Sequence, residues 1–168
     1  MSSYKTKLKA ISTFIFDVDG VLTDSSVILD PSGEMVRVMN TRDGFAMQHA
    51  VKNGFNVCII TGGNSPMVKQ RLNYLGIVDV YMEAGTKLDC LADYMEKKSI
   101  SLDEILYMGD DIPDRDVMKK VGLPTCPKDA AVEILAVAEY VSTIDGGKGC
   151  VRDVIEQTLR LHGKWFDA

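Results

Sequence analysis

The sequence contains little of the material from which several classes of protein are built. Its 168 residues include only two histidines, and its formal net charge is −5. His49 and His162 are too few for a histidine-rich metal site. The longest apolar runs, such as Val57–Ile60 and Ile134–Ala138, are far too short to cross a bilayer. Sequence-independent nucleic-acid binding needs a basic surface, so we expect neither a membrane nor a nucleic acid among the partners.

Cysteine is also sparse, and the four cysteines lie far apart without a C-x-x-C pair: Cys58, Cys90, Cys126 and Cys150. This spacing opposes both a zinc site and a redox dithiol. Each cysteine stands among apolar or small neighbours, so we expect buried, reduced thiols. The N-terminal residues lack the apolar run of a signal peptide. Reduced thiols without an export signal predict a cytoplasmic location.

What the sequence does contain is an alternation of short apolar runs with segments of helical period, within a length typical of one domain spanning residues 1–168. The predicted strands are Ile11–Phe16, Asn56–Ile60, Val78–Tyr81, Ile105–Met108, Pro124–Cys126 and Tyr140–Ser142. The predicted helices are Gly44–Asn53, Pro66–Leu75, Lys87–Lys98, Ile112–Val121, Ala130–Ala136 and Cys150–Leu161. Strands that are apolar on both faces and alternate with helices indicate an α/β fold, a Rossmann-like three-layer sandwich around a parallel sheet.

One segment after the first strand breaks this alternation. Ser26–Leu29 and Glu34–Met39 flank Asp30–Gly33, whose residue types favour a tight turn. We therefore predict a β-hairpin, which is too small to be a second domain. Its apolar residues have little of their own to pack against, and such a ribbon is typical of a contact surface between subunits.

Acidic residues follow two of the strongest strands. Asp17 and Asp19 come after the first strand, and Asp110, Asp111 and Asp114 come after the fourth. The carboxyl ends of parallel strands share one edge of the sheet, where ligands bind, so both clusters should converge there. Several buried carboxylates need a cation between them, and hard oxygen ligands suit Mg²⁺.

Other interpretations of these residues have to be weighed. Aspartates are common in turns, and we accept that interpretation for Asp24 and Asp30. It is weak for the two clusters, because both follow buried strands. Lys87 lies at a predicted helix start, where lysine is usually only solvated. A cation in a first turn is unfavourable with the helix dipole, and this favours a functional role.

In these motifs the sequence resembles the haloacid dehalogenase superfamily of phosphohydrolases. Asp17-x-Asp19-Gly20-Val21 looks like the first motif and Thr61-Gly62 the second. Lys87 looks like the third, and Gly109-Asp110-Asp111-x-x-Asp114 the fourth. All four occur in order at strand ends or helix starts. The large cap domain of many relatives is absent, since only the hairpin occupies its place.

Over nearly the whole chain the sequence resembles the capless 3-deoxy-D-manno-octulosonate 8-phosphate phosphatases. The similarity lies in residues 17–24, in Arg42-Asp43-Gly44 and in Gly146-Gly147-Lys148-Gly149-x-x-Arg152. It implies a Mg²⁺-dependent homotetramer acting in lipopolysaccharide precursor synthesis. Phosphatases of nonulosonate 9-phosphates share much of the pattern and remain an alternative. Gly63 departs from the family, which commonly has arginine there.

The resemblance implies a role for each motif residue in phosphoryl transfer. Asp17 would be the nucleophile that forms an aspartyl phosphate, and Asp19 the general acid and then the general base. Thr61 and the Gly62 amide would hold phosphate oxygens, and Lys87 would supply positive charge. The expected Mg²⁺ ligands are Asp17, the Asp19 backbone carbonyl and Asp110, with Asp111 and Asp114 orienting the metal water or Lys87, or Asp111 binding the metal directly.

The sugar acid itself would be bound by Asp19 of the first motif and by residues outside the motifs. The expected substrate-binding residues are Asp19, Asn40, Thr41, Arg42, Asp43, Gly44 and Arg71. For Arg71 a solvated helix position is nearly as good an interpretation. The Gly146–Gly149 tail either reaches a neighbouring subunit's active site or forms a flexible turn. A non-enzymatic oligomerisation module is a further alternative, opposed by the intact motif residues.

Overall fold

The computed structural model describes residues 3–167, and its framework is a six-stranded parallel sheet. The strands of this sheet are β1 (Thr13–Phe16), β4 (Asn56–Ile60), β5 (Asp79–Tyr81), β6 (Ile105–Met108), β7 (Leu123–Cys126) and β8 (Tyr140–Val141). Their spatial order is β5-β4-β1-β6-β7-β8. The chain thus builds outward from β1 on one side and then returns to its other side. The carboxyl ends of β1 and β6 therefore flank the topological switch point, where open α/β sheets bind ligands.

Helices cover both faces of the sheet, which confirms the predicted Rossmann-like three-layer sandwich. They are α1 (Tyr4–Leu8), α2 (Thr41–Lys52), α3 (Pro66–Tyr74), α4 (Lys87–Lys98), α5 (Arg115–Met118), α6 (Val132–Leu135) and α7 (Cys150–Leu161). In β1, Phe14 and Phe16 pack into the core beneath α2 and α7, whereas Ile15 packs into the second core, beneath α4. Alternate side chains of a strand point to opposite faces, so a strand covered twice is apolar throughout.

The predicted hairpin is present but shorter than expected. Only β2 (Ile28–Leu29) and β3 (Met35–Val36) pair, in antiparallel register. A turn over Val18–Leu22, closed by a 3.0 Å hydrogen bond from the Thr23 amide to the Val18 carbonyl, lies between β1 and the hairpin and was not predicted. Within the described residues no cap domain occupies this insertion. No helix among residues 3–167 is long and apolar enough to span a membrane.

Some predicted bounds are wrong. Helix α2 begins at Thr41 instead of Gly44, because the Asn40 side chain accepts hydrogen bonds from the Arg42 and Asp43 amides and caps the helix there. The helix predicted at Ile112–Val121 is instead a 3₁₀ turn, Ile112–Asp114, followed by the short α5.

The cysteine prediction holds for three residues: Cys58, Cys126 and Cys150 are buried. Cys90 is only half-buried, on α4. All four thiols are free, so no disulfide staples the fold.

Candidate active site

The two acidic clusters meet at the switch point, as the strand order requires. Asp17 directly follows β1, and its amide donates a 3.1 Å hydrogen bond to the Met108 carbonyl at the end of β6. The carboxylates of Asp17, Asp110 and Asp114 place one oxygen each within 4.8 Å of the others. Residues 93 positions apart in the sequence therefore form one carboxylate cluster.

Lys87 lies against this cluster and is buried. Its Nζ is 2.9 Å from Asp17 Oδ2 and 2.7 Å from Asp114 Oδ1. The Tyr107 hydroxyl donates a second hydrogen bond, 2.5 Å long, to Asp114 Oδ1. Burial acts to lower the pKa of Lys87, but the charges of Asp17 and Asp114 outweigh it and raise that pKa. Lys87 is thus a fixed cation, held in contact with Asp17 by a buried carboxylate.

The residues of the cluster fit a divalent cation. Asp110 Oδ1 is buried without a hydrogen-bond partner in the described structure. Burial, with the charges of Asp17, Asp114 and Asp111, raises the pKa of Asp110 to about 8. Burial and the charge of Asp114 raise the pKa of Asp17 to about 6. A cation bound between Asp17 and Asp110 would satisfy the free oxygen and offset the repulsion, as oxygen ligands do for Mg²⁺.

Asp114 and Asp111 are engaged differently. Asp114 Oδ2 accepts a 3.0 Å hydrogen bond from the Asp110 amide, while Oδ1 accepts from Lys87 and Tyr107. Its carboxylate therefore contacts Lys87, Tyr107 and the Asp110 amide at once. Asp111 caps the following 3₁₀ turn through the Ile112 amide. The structure thus gives both residues partners within the protein.

Two glycines let the carboxylates pack this closely. Gly20 has φ +88°, and an added Cβ would lie 1.9 Å from Asp110 Oδ2. At Gly109, an added Cβ would lie 2.3 Å from the Asp114 Cβ. The first glycine also needs the left-handed backbone conformation that side chains disfavour. Any side chain at either position would displace a carboxylate.

Two of the three predicted phosphate-binding residues lie at the end of β4, beside β1, while the third, Lys87, begins α4. Thr61 is buried, and its Oγ1 accepts a 3.1 Å hydrogen bond from the Gly63 amide. Gly62 is exposed, with no atom within 4 Å of the position that a Cβ would take. The Gly62 backbone therefore faces open space, which leaves room for an anion next to it.

Sequence reasoning missed Arg37, which holds Asp19. Arg37 Nε lies 2.7 Å from Asp19 Oδ1, and Nη2 lies 3.0 Å from Oδ2. The arginine follows β3 of the hairpin, and its side chain is only 5% exposed, compared with 37% for that of Asp19. No local pattern could have found this pair, because the hairpin folds back across 18 positions.

Five of the expected substrate-binding residues are consecutive, residues 40–44, at the start of α2. Asn40 caps α2, and Thr41 opens that helix. Asp43 is buried, accepts the Arg152 amide at 2.8 Å, and has a pKa raised to about 6 by burial. Gly44 lies beneath Arg71, whose Nη2 would be 3.0 Å from an added Cβ.

Arg42 and Arg71 line different cavities. Arg42 borders a cavity of about 650 Å³ together with Lys148 and Arg152. Arg71 borders one of about 480 Å³ together with Arg37 and Ser65. Only the second of these includes the arginine that contacts Asp19, so Arg71 is the better placed of the two for a substrate bound at this end of the sheet.

The glycine-rich tail packs against its own chain at residues 146 and 147. The Gly147 amide donates a 2.9 Å hydrogen bond to the Val21 carbonyl. An added Cβ at Gly146 would lie 2.0 Å from the Gly20 carbonyl oxygen. The tail therefore packs on the turn that carries Asp19, and both glycines are required for that approach.

Comparison with known proteins identifies a family and several relatives of this chain. Residues 73–151 match the haloacid dehalogenase-like hydrolase family. The 3-deoxy-D-manno-octulosonate 8-phosphate phosphatase KdsC of Salmonella typhi is 39% identical over 163 residues, which are 97% of this chain and 87% of that protein. KdsC of Escherichia coli K12 is 38% identical over 162 residues, covering 96% and 86% of the two chains.

Solved structures of such phosphatases superpose closely. The enzyme from Yersinia pestis gives a TM-score of 0.93 at 32% identity, over 95% of this chain and 86% of that one. The enzyme from Moraxella catarrhalis, in complex with magnesium ion, phosphate ion and KDO, gives 0.89 at 33% identity, over 93% and 90%. The chain therefore belongs to the 3-deoxy-D-manno-octulosonate 8-phosphate phosphatase family of haloacid dehalogenase-like hydrolases.

Proposed function

We propose that this protein is a Mg²⁺-dependent phosphatase that hydrolyses 3-deoxy-D-manno-octulosonate 8-phosphate to the free sugar acid and phosphate. The observation that carries the proposal is the buried Asp17 carboxylate, which Lys87 contacts at 2.9 Å beside the unpartnered oxygen of Asp110. The names of the relatives support this substrate, and so does the Moraxella complex with magnesium, phosphate and KDO.

The first step transfers the phosphoryl group to the enzyme. An oxygen of Asp17 attacks phosphorus, the bond from phosphorus to the sugar oxygen breaks, and Asp19 gives that oxygen its proton. Thr61 and the Gly62 amide hold the phosphoryl oxygens, while Lys87 offsets their charge. When bound by Asp17, Asp110 and the Asp19 carbonyl, Mg²⁺ supplies further positive charge to the phosphoryl group.

The second step returns the enzyme to its starting state. Water attacks the phosphorus of the aspartyl phosphate, and the Asp19 carboxylate accepts the proton of that water. The bond from phosphorus to the Asp17 oxygen then breaks, which releases inorganic phosphate and restores both carboxyl groups. Lys87, fixed by Asp114, faces negative charge through both steps.

The test is phosphate release from the eight-carbon substrate. We expect turnover with Mg²⁺, loss of turnover on chelation, and no turnover by Asp17→Asn, which removes the nucleophile but keeps the side-chain volume. The Asp17→Asn protein should retain its fold by circular dichroism. An Asp17→Asn variant with wild-type turnover would disprove the nucleophile assignment.

The same assay separates the alternatives. A nonulosonate 9-phosphate, assayed in competition, should be hydrolysed more slowly than the eight-carbon substrate. The opposite preference would favour the nine-carbon alternative. Absence of chelator-sensitive turnover on both substrates would favour the non-enzymatic oligomerisation module.

We also propose that the chain, as one domain over residues 1–168, assembles into a cytoplasmic homotetramer that serves lipopolysaccharide precursor synthesis. The support from this molecule is the apolar hairpin, on which Leu29 is 77% and Val38 71% exposed. Ile28 and Met35 are exposed beside them. Apolar patches of this kind mark contact surfaces, and a second copy of the chain would cover this one.

A further inference from the structure

Asp19 is held by an arginine that the hairpin supplies. Arg37 makes two parallel hydrogen bonds to the two Asp19 oxygens, 2.7 and 3.0 Å long. Its remaining terminal nitrogen, Nη1, donates a 2.9 Å hydrogen bond to the Met35 carbonyl of β3. The guanidinium is therefore tied to the hairpin backbone at one end and to Asp19 at the other. Paired hydrogen bonds of this kind fix the plane of a carboxylate as well as its position.

Gly63 provides the space for this guanidinium. A Cβ at Gly63 would lie 3.2 Å from Arg37 Nη2, 3.6 Å from Asp19 Oδ2 and 3.6 Å from Thr61 Oγ1. Gly63 therefore borders Arg37, Asp19 and the candidate phosphate-binding hydroxyl at once. A larger side chain there would enter the space in which the three groups meet.

We propose that Arg37 is a positioning residue that aims the Asp19 carboxylate at the hydrolytic water in the second step, and that Gly63 is the position that admits it. The inference rests on the proposed function, because it assumes that Asp19 accepts the proton of that water. The Asp19 side chain is 37% exposed, whereas the Arg37 side chain that holds it is only 5% exposed. Small losses of alignment at a reacting group can cost about a hundredfold in rate.

This role predicts a kinetic signature that a structural role would not produce. The first step releases the sugar acid, and only the second releases phosphate. Arg37 can donate to both Asp19 oxygens only when Asp19 is ionised, as it is when it accepts the proton in the second step; in the first step Asp19 carries the proton that it donates. Without Arg37 the second step therefore slows most, so aspartyl phosphate accumulates and a burst of sugar acid precedes phosphate. The turnover number and KM should then fall together, while kcat/KM, which reports the first step, changes little.

The experiment compares Arg37→Gln with the wild type by rapid quench, with sugar acid and phosphate measured separately. We expect kcat to fall at least about tenfold, consistent with the size of general-base effects. We expect kcat/KM to change by less than about threefold, with a burst of sugar acid close to the enzyme concentration. Arg37→Lys, which keeps a charge but loses the paired geometry, should recover part of kcat.

The control is Arg160→Gln. Arg160 also contacts a carboxylate through two nitrogens, that of Glu156, but on the exposed face of α7. This variant should show wild-type kinetics. Sedimentation velocity on every variant checks that the hairpin still supports the same assembly.

Gly63→Ala tests the same inference with Arg37 and the hairpin sequence unchanged, in case Arg37→Gln does not fold. It should give the same burst with a smaller loss of kcat, because the added methyl group displaces the guanidinium. Equal losses of kcat and kcat/KM without a burst, or unchanged kinetics, would overturn the inference. A wild-type protein without phosphatase activity would instead overturn the proposed function.

Discussion

Asp17, Asp110 and Asp114 place carboxylate oxygens within 4.8 Å of one another. This close approach contributes to raised pKa values at Asp17 and Asp110. Burial, and then neighbouring negative charge, raises the pKa of Asp110 to about 8 and that of Asp17 to about 6, from 3.8. Lys87 offsets part of the repulsion, and it is itself held by Asp114, whose carboxylate also accepts a hydrogen bond from Tyr107. The negative charge that Lys87 does not offset leaves an imbalance, which a bound divalent cation would remove.

This imbalance predicts how stability depends on pH and on Mg²⁺. Between the unfolded and folded pKa values the folded protein binds more protons than the unfolded chain, so metal-free stability should fall as pH rises from about 4 to about 8. Mg²⁺ binds the deprotonated carboxylates, so its gain in melting temperature should be larger near pH 8 than near pH 5. Thermal unfolding with and without Mg²⁺, near pH 5 and near pH 8, measures this gain in melting temperature.

The matched control for this prediction is Asp110→Asn, which removes the carboxylate with the higher of the two raised pKa values. It should lose most of the Mg²⁺ effect and flatten the metal-free pH dependence. An equal gain from Mg²⁺ at both pH values in the wild type would contradict the interpretation of the cluster as a metal site.

At the scale of elements, the site depends on segments with little regular structure. The turn at Val18–Leu22 carries Asp19, and the 3₁₀ turn Ile112–Asp114 directs Asp114 inward. The tail before α7 supports the first of these turns through the Gly147 amide. The regular strands bring the segments that carry the site to one edge of the sheet, and the turns that follow the strands set the direction of the side chains.

Gly146→Ala should therefore disturb the active site, although Gly146 lies outside the four phosphohydrolase motifs. Its added Cβ would meet the Gly20 carbonyl at 2.0 Å, so the turn or the tail must move. We expect a loss of stability of about 1–3 kcal/mol, typical of overpacking, and a fall in kcat/KM of at least about tenfold. Denaturant unfolding and steady-state kinetics measure the two effects.

Gly33→Ala is the comparison for this variant, since nothing lies within 4 Å of its Cβ position at the hairpin tip. Gly33 has φ +88°, so some backbone strain is expected there as well. That strain should lower stability with little effect on kcat/KM. Equal kinetics for Gly146→Ala and the wild type would show that the tail does not support the turn.

At the scale of the whole molecule, the hairpin joins two functions. Its apolar residues form the proposed contact surface, and Arg37 at its base reaches Asp19. Assembly and catalysis should therefore be coupled, because a hairpin without its partner would hold Arg37 less firmly.

Leu29→Asp should break the assembly, since it places a charge on an apolar contact that is 77% exposed in the single chain. We expect a smaller species by sedimentation equilibrium and a fall in kcat of at least about tenfold, because a misaligned reacting group costs rate. Val132→Asp changes a comparably exposed residue, on α6, and should leave both the assembly state and kcat unchanged. An active monomer of Leu29→Asp would separate assembly from catalysis.

Much of this arrangement was accessible from sequence. The six strands and their parallel orientation follow from apolar runs alternating with helical segments, because a strand covered on both faces must be apolar throughout. The meeting of Asp17 with Asp110 followed as well, since both stand at carboxyl ends of strands. Short elements were less predictable: the turn at Ile112–Asp114 has apolar and acidic residues that suit a helix equally well.

The sequence by itself thus indicated the strands, their parallel arrangement and the edge of the sheet at which the acidic residues stand, because hydrophobic periodicity and the alternation of strands with helices are read along the chain. Only the tertiary structure decided which side chains touch. Arg37 reaches Asp19, Tyr107 reaches Asp114, and Gly146 approaches Gly20. These contacts join distant segments or depend on how a turn directs a side chain, and the packing of the folded chain sets that geometry.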